Sequence, residues 1–255
     1  MKSPWKDSLK SLAVVAVIFV LWSVVCRMGV FSAYVLPSPG KVWMAFLSML
    51  RSGELGKSLL VSFSRVLIGF FLSSALAFLL GVLTSLAPSA NPYYHPILEF
   101  LRHIPPMSLI PLLILWCGIG EASKIIIIVL TTFFPVFLNT NAGLEQCDPK
   151  LLEVGRMLEM SRTQQFFQIR LPSALPNILV GMRIGLGYSW RAIIGAEMIA
   201  AASGIGYLIL DAQAMSRIDK VIVGILLIGL VGWMTDLLFG LIIRRVTREG
   251  EKRYV

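Results

Sequence analysis

Long apolar runs separated by short polar ones organise this chain. Ser11 to Cys26 is uncharged, and it is short for a membrane span unless Lys10 and Arg27 reach back to the interface. Ser38-Pro39 predicts a cap and a proline-led helix start. Val42, Trp43, Phe46, Leu47 and Leu50 then recur at helical spacing as far as Gly53. That helix is expected to lie along the membrane or pack on its neighbours. Val66 to Ala87 is a comfortable second span, and Pro88 to Pro96 reads as a turn-rich loop. A third apolar stretch, Ile97 to Ile119, contains His103, Pro105, Pro106 and Pro111, which predicts a broken, cavity-lining helix. Ile125 to Gly143, with Pro135 inside it, gives a fourth span, Ile178 to Ala202 a fifth and Val221 to Ile243 a sixth. The expected fold is an all-α membrane protein of six transmembrane helices in one domain over residues 1–255, with its core at about 59–243.

One charged stretch, residues 148–176, interrupts this pattern. Asp148-Pro149 predicts an N-cap with proline at the first helical position, and Leu151, Leu152, Val154, Leu158 and Met160 predict a short amphipathic helix. Ser161-Arg162-Thr163-Gln164 has the capping-box spacing. The second helix begun there carries Phe166, Phe167 and Ile169 and is expected to end near Leu171-Pro172. Two short helices at a corner suit a docking element on the cytoplasmic side. An interfacial connector would show the same pattern.

Composition supports the membrane reading, with 56% hydrophobic and 15% charged residues and a mean hydropathy of +0.80, since a soluble domain carries nearer a quarter charged residues. The net charge of +9 points to basic cytoplasmic loops. Nucleic-acid binding is set aside, because alternating basic and aromatic runs are missing. With the N-terminus inside, Lys2, Lys6, Lys10, Lys150, Arg156, Arg162, Arg170, Arg244, Arg245, Arg248, Lys252 and Arg253 fall on the inner side. They outnumber Arg27, Lys41, Arg51, Lys57, Arg65, Lys124, Arg217 and Lys220 outside, so both termini and the polar stretch are expected in the cytoplasm. Cys26, Cys117 and Cys147 form neither a metal cluster nor a disulfide framework. The basic, apolar N-terminus ending at Cys26 has Val25 where lipoprotein processing wants a small residue, so it reads as a retained first span.

Glu153, followed sixteen residues later by Ile169-Arg170-Leu171-Pro172, resembles the EAA signature of permease subunits of ATP-binding-cassette importers. Val154 and Gly155 replace the two alanines, and Glu159 stands where the signature has glycine. Leu101 to Lys124, Phe133 to Leu144, Gly195 to Ile209 and Leu36-Pro37-Ser38-Pro39 extend the likeness to the nitrate, sulfonate and taurine group. The resemblance implies a type I importer permease with the MetI-like fold, in the bacterial inner membrane. Two copies would form the pathway, with two ATPase subunits inside and a substrate-binding protein outside. The coupling role would fall to Glu153, Val154, Gly155, Arg156, Leu158, Glu159, Ser161, Arg162, Leu171 and Pro172. No GxxxxGK[ST] motif occurs, so this chain is expected to catalyse nothing and to bind no cofactor, ATP and magnesium being used by the partner.

The fifth span holds the most expensive residues, Arg183, Arg191 and Glu197. Arg183 and Glu197 are about 40° apart around the helix but roughly 21 Å apart along it, so they cannot pair. Arg191 lies about 80° from Arg183 and needs its own partner. Arg183 is expected to snorkel to the inner interface, and Asp236 to be structural. Pathway candidates are His103, Pro105, Pro106, Trp190, Arg191 and Glu197, with a structural ion pair the alternative for Arg191 and Glu197. Gly181, Gly185 and Gly187 suit either a dimer seam or packing within the subunit. Gly118-Ile119-Gly120-Glu121 and Ser203-Gly204-Ile205-Gly206 are expected as outer loops near the binding protein, or as plain turns. The favoured solute is a sulfonate-, taurine- or nitrate-like anion. Rivals are a permease for a neutral vitamin precursor, and a secondary transporter or channel, which should show repeats or an ion site of its own.

Overall fold

The structure is a computed structural model that describes the backbone of residues 4–253 and the side chains of residues 13–245. Lys2, Lys6, Lys10, Arg248, Lys252 and Arg253, expected to help set the orientation, lie outside the described side chains. Among the described residues every regular element is helical.

α1 (Pro4–Arg27) leads to α2 (Pro39–Arg51), then α3 (Glu54–Leu86), α4 (Asn91–Arg102), α5 (Ile110–Cys117) and α6 (Glu121–Glu145). α7 (Pro149–Met157), α8 (Arg162–Gln165), α9 (Leu171–Ala200), α10 (Ile205–Ala214) and α11 (Ile218–Arg253) complete the chain. α3, α6 and the Ile218–Arg245 part of α11 are long and apolar enough to cross a membrane. Two bent pairs each supply one more candidate, and the shorter apolar segment Ala13–Arg27 of α1 brings the candidates to six.

The third stretch breaks as its prolines predict. Helical turns over Pro88–Arg102 and Pro106–Cys117 meet at 84°. Pro105, with φ −63° and ψ 119°, is the extended residue between them. The expected loop at Pro88 to Pro96 is shorter, because α4 starts at Asn91 with Pro92 in its first turn. α2 begins after Ser38 as expected, but its buried face is Val42, Ala45 and Met49. Trp43 and Leu50 are exposed in the chain.

α6 is the centre of the bundle and packs on both α3 and α9. Hydroxyl contacts link it to both neighbours. The Thr132 and Ser189 hydroxyls are 2.6 Å apart, and Ser73 donates to the Val129 carbonyl at 2.8 Å. Gly181 and Gly185 let α9 approach α6 closely. A Cβ on Gly181 would sit 2.6 Å from Asn139 Cβ, and one on Gly185 would sit 2.9 Å from Thr132 Cγ2. These two glycines serve packing within the subunit, while Gly187 faces open space.

The predicted stop at Leu171-Pro172 does not occur. α8 continues through a π-helical turn, Phe166–Arg170, into α9. Leu171 N–H donates to Phe166 O, one residue further back than in an α-helix. Widening the turn there accommodates a proline that has no N–H and whose ring crowds the carbonyl one turn back.

Candidate coupling element and translocation cleft

The charged stretch folds by its caps. Asp148 Oδ1 accepts from Lys150 N–H at 2.9 Å, and Ser161 and Gln164 form a full capping box. Between them α7 ends in a Schellman turn. Met160 N–H donates to Gly155 O and Glu159 N–H to Arg156 O, both at 3.0 Å. Glu159 has φ +53°. The residue at the signature's glycine position thus adopts the left-handed conformation that glycine tolerates best. Gly155 is buried, and a Cβ there would lie 2.7 Å from Ile169 Cδ1, so a small residue allows the two halves of the corner to close. Gln165 Nε2 also donates to Met160 O at 2.9 Å. Phe166 is buried with Leu144, Ala174 and Ile178, which fastens the corner to α6 and α9.

What remains outside is an apolar face. Leu151, Val154, Met157 and Leu158 are exposed, with Met157 at 83%. Glu153, Arg156, Glu159, Ser161 and Arg162 are exposed around them, Leu171 is half-buried and Pro172 exposed. An apolar patch rimmed by charge marks a protein interface.

At the other end, α3, α6, α9 and α10 meet around Arg65. Its Nε and Nη2 donate to the two oxygens of Glu121 at 2.6 Å each. Its Nη1 donates to Glu197 Oε1 and to Ser203 O at 2.8 Å. Glu197 is fully buried. It also accepts from Ser62 Oγ at 2.8 Å and from Gly206 N–H at 2.9 Å. A Cβ on Gly204 would collide with the Glu197 carboxylate, so glycine is what lets the corner after α9 wrap it. Lys124 Nζ adds a third contact to Glu121 at 3.1 Å. This cluster escaped the sequence reading, because its partners stand 56 and 132 residues from Arg65 with no spacing to announce them.

Glu197 and Trp190, both pathway candidates, are buried inside the bundle. Glu197 belongs to this ion cluster, and Trp190 is 3% exposed, packed in the core beside Phe63. Arg183 does not simply snorkel. Its Nε and Nη2 donate to Asp236 Oδ1 and Oδ2 at 2.7 and 2.6 Å, joining α9 to α11.

His103, Pro106 and Arg191 do come together, on a cleft of about 670 Å³ between the broken third stretch, the middle of α6 and α9. Pro105 is not on its wall. Leu130, Phe134, Leu138 and Ile184 give the cleft apolar walls, and Thr131, Asn139 and Tyr188 give it polar points. The Arg191 guanidinium sits 5.5 Å from the centroid of the Tyr188 ring.

Comparison with known proteins agrees with this architecture. A methionine importer, MetNI, in an inward-facing conformation gives a TM-score of 0.61 at 17% identity, over 74% of this chain and 96% of that one. An amino acid ABC transporter solved with histidines gives 0.66 at 16%, over 78% and 98%. By sequence, a Bacillus subtilis (strain 168) permease named for aliphatic sulfonates, SsuC, is 40% identical over 94% of this chain and 87% of its own. The taurine transport system permease protein TauC of Escherichia coli (strain K12) is 32% identical over 93% and 88%. The nitrate import permease protein NrtB of Synechocystis sp. (strain ATCC 27184 / PCC 6803 / Kazusa) is 32% identical over 89% and 85%. Residues 69–248 match the family described as binding-protein-dependent transport system inner membrane component. The chain belongs to that family, as the permease subunit of an ATP-binding-cassette importer.

Proposed function

We propose that this permease works as one of two identical copies, with α7 and α8 seated on a separate ATPase in the cytoplasm and a binding protein delivering solute from outside. ATP and magnesium belong to that ATPase. Both chain termini share the cytoplasmic side with α7, and the corners at Gly118–Gly120 and Ala201–Gly204 face the opposite side. The solute is a small anion of the sulfonate, taurine or nitrate kind, in keeping with the names of the relatives, and it crosses through the cleft beside Arg191.

The observation that carries this reading is the exposed apolar face of α7 at the head of a continuous helical rod. From Arg162 to Ala200 that rod is roughly 58 Å long at 1.5 Å per residue. It joins the docking corner to the far end of the bundle, past both the cleft and the Arg65 cluster. A push on α7 is thereby felt along α9 as a rigid-body tilt.

The test is ATP hydrolysis and assembly with the candidate ATPase, comparing wild type with Val154→Glu and Glu153→Arg. Burying one such apolar side chain is worth about 2 kcal/mol, so Val154→Glu is expected to weaken assembly by roughly 30-fold. Glu153→Arg is expected to lower solute-stimulated hydrolysis. Unchanged assembly and hydrolysis in both variants would move the docking surface elsewhere.

A further inference from the structure

We infer that Arg191 makes the mid-membrane cleft selective for small oxyanions, offering a guanidinium that no carboxylate of the described chain neutralises to a passing sulfonate-class group. This rests on the reading of the cleft as the translocation path.

Charge pairing sets Arg191 apart from Arg65, Lys124 and Arg183. A cation inside a membrane span is expensive and normally meets a counter-charge. Arg65 meets Glu121 and Glu197, Lys124 meets Glu121, and Arg183 meets Asp236. Arg191 breaks the pattern, because among the described residues its contact is the face of Tyr188. An aromatic face orients a guanidinium without cancelling its charge.

The rest of the cleft sharpens that charge. Arg102 is taken by Glu99, with Nη2 2.7 Å from Oε1. His103 Nδ1 is held at 2.7 Å by the Glu99 carbonyl. Thr131 spends its hydroxyl proton on Ile127 O, and Asn139 donates to Pro135 O. No acidic side chain lines the cleft. Arg191 is therefore its uncompensated charge, set among apolar walls at the depth of the middle of α6. Its planar fork matches two oxygens of a sulfonate or nitrate. The wide opening keeps the attraction weak enough for the ion to leave, as a pathway requires.

The experiment places a probe one wall away. Ile184→Cys, in the full chain with Cys26, Cys117 and Cys147 replaced by alanine, is assembled with its ATPase and labelled with 2-sulfonatoethyl and 2-(trimethylammonium)ethyl methanethiosulfonates. The anionic-to-cationic rate ratio is expected to fall about tenfold on Arg191→Gln, the effect of one nearby charge in a partly wet site, and to survive in Arg191→Lys. An unmoved ratio overturns the inference. So does a cysteine that reacts only with a membrane-permeant maleimide, since that face would then meet lipid. Uptake of ethanesulfonate by the complete importer is measured in parallel. A ratio that falls while no ethanesulfonate crosses upholds the anion-selective cleft and rejects the sulfonate substrate. Uptake with an unmoved ratio does the reverse.

Discussion

Glu159 holds a left-handed backbone at the turn that separates α7 from α8. An L-residue with a Cβ is disfavoured there by about 1–2 kcal/mol. Glu159→Gly is therefore expected to raise the thermal unfolding temperature of the purified permease or leave it unchanged. Glu159→Val should lower it, because a β-branched residue fits that region worst. Arg65 sits at the opposite extreme of sensitivity. Removing one partner of a buried ion pair costs about 3–5 kcal/mol, so Arg65→Ala should unfold at a clearly lower temperature than wild type. Glu197→Gln should lose less, since its amide oxygen can still accept from Ser62 and Gly206. Equal melting of Arg65→Ala and wild type would show that water, not Glu197, satisfies the guanidinium.

Among the elements, the joint between α9 and α11 is testable by exchange. Arg183 and Asp236 meet two oxygens to two nitrogens, a geometry worth more than a single contact. Arg183→Asp alone sets two carboxylates face to face and should destabilise by about 1–2 kcal/mol. Adding Asp236→Arg should restore most of the loss, read as recovery of unfolding temperature in detergent. The same elements show what the sequence made legible. Asp148-Pro149 and Ser161 to Gln164 are local capping chemistry, and both helix starts were found where the residues pointed. The broken third stretch was equally plain from Pro105 and Pro106. Pro172 misled, because a proline reads as a stop and nothing in the local pattern announces that a π turn will absorb it. The Arg65 and Arg183 pairs were invisible for a different reason. Their partners are chosen by the packing of distant helices, which no spacing along one helix encodes. Arg191 could be singled out by its expense alone, and the cleft it lines needed the fold.

At the scale of the whole molecule the orientation can be tested directly. In a cysteine-free chain, Arg156→Cys is expected to react with an impermeant maleimide only when the cytoplasmic face is open to the reagent. Ala202→Cys, exposed at the corner after α9, should react only from the other side. The Arg65 cluster also bears on how the molecule comes to exist. Synthesis runs from the N-terminus, so α3 emerges with a cation that has no counter-ion until residue 121 appears and no complete shell until residues 197 and 203 follow. A ribosome-bound chain halted before α6 leaves Arg65 alone against lipid, and one halted between α6 and the end of α9 leaves it half-coordinated. The insertion machinery must shelter that helix meanwhile, and the last partner to arrive closes the bundle. Early truncations of this chain should consequently be cleared by membrane proteases, whereas those extending through α10 should persist.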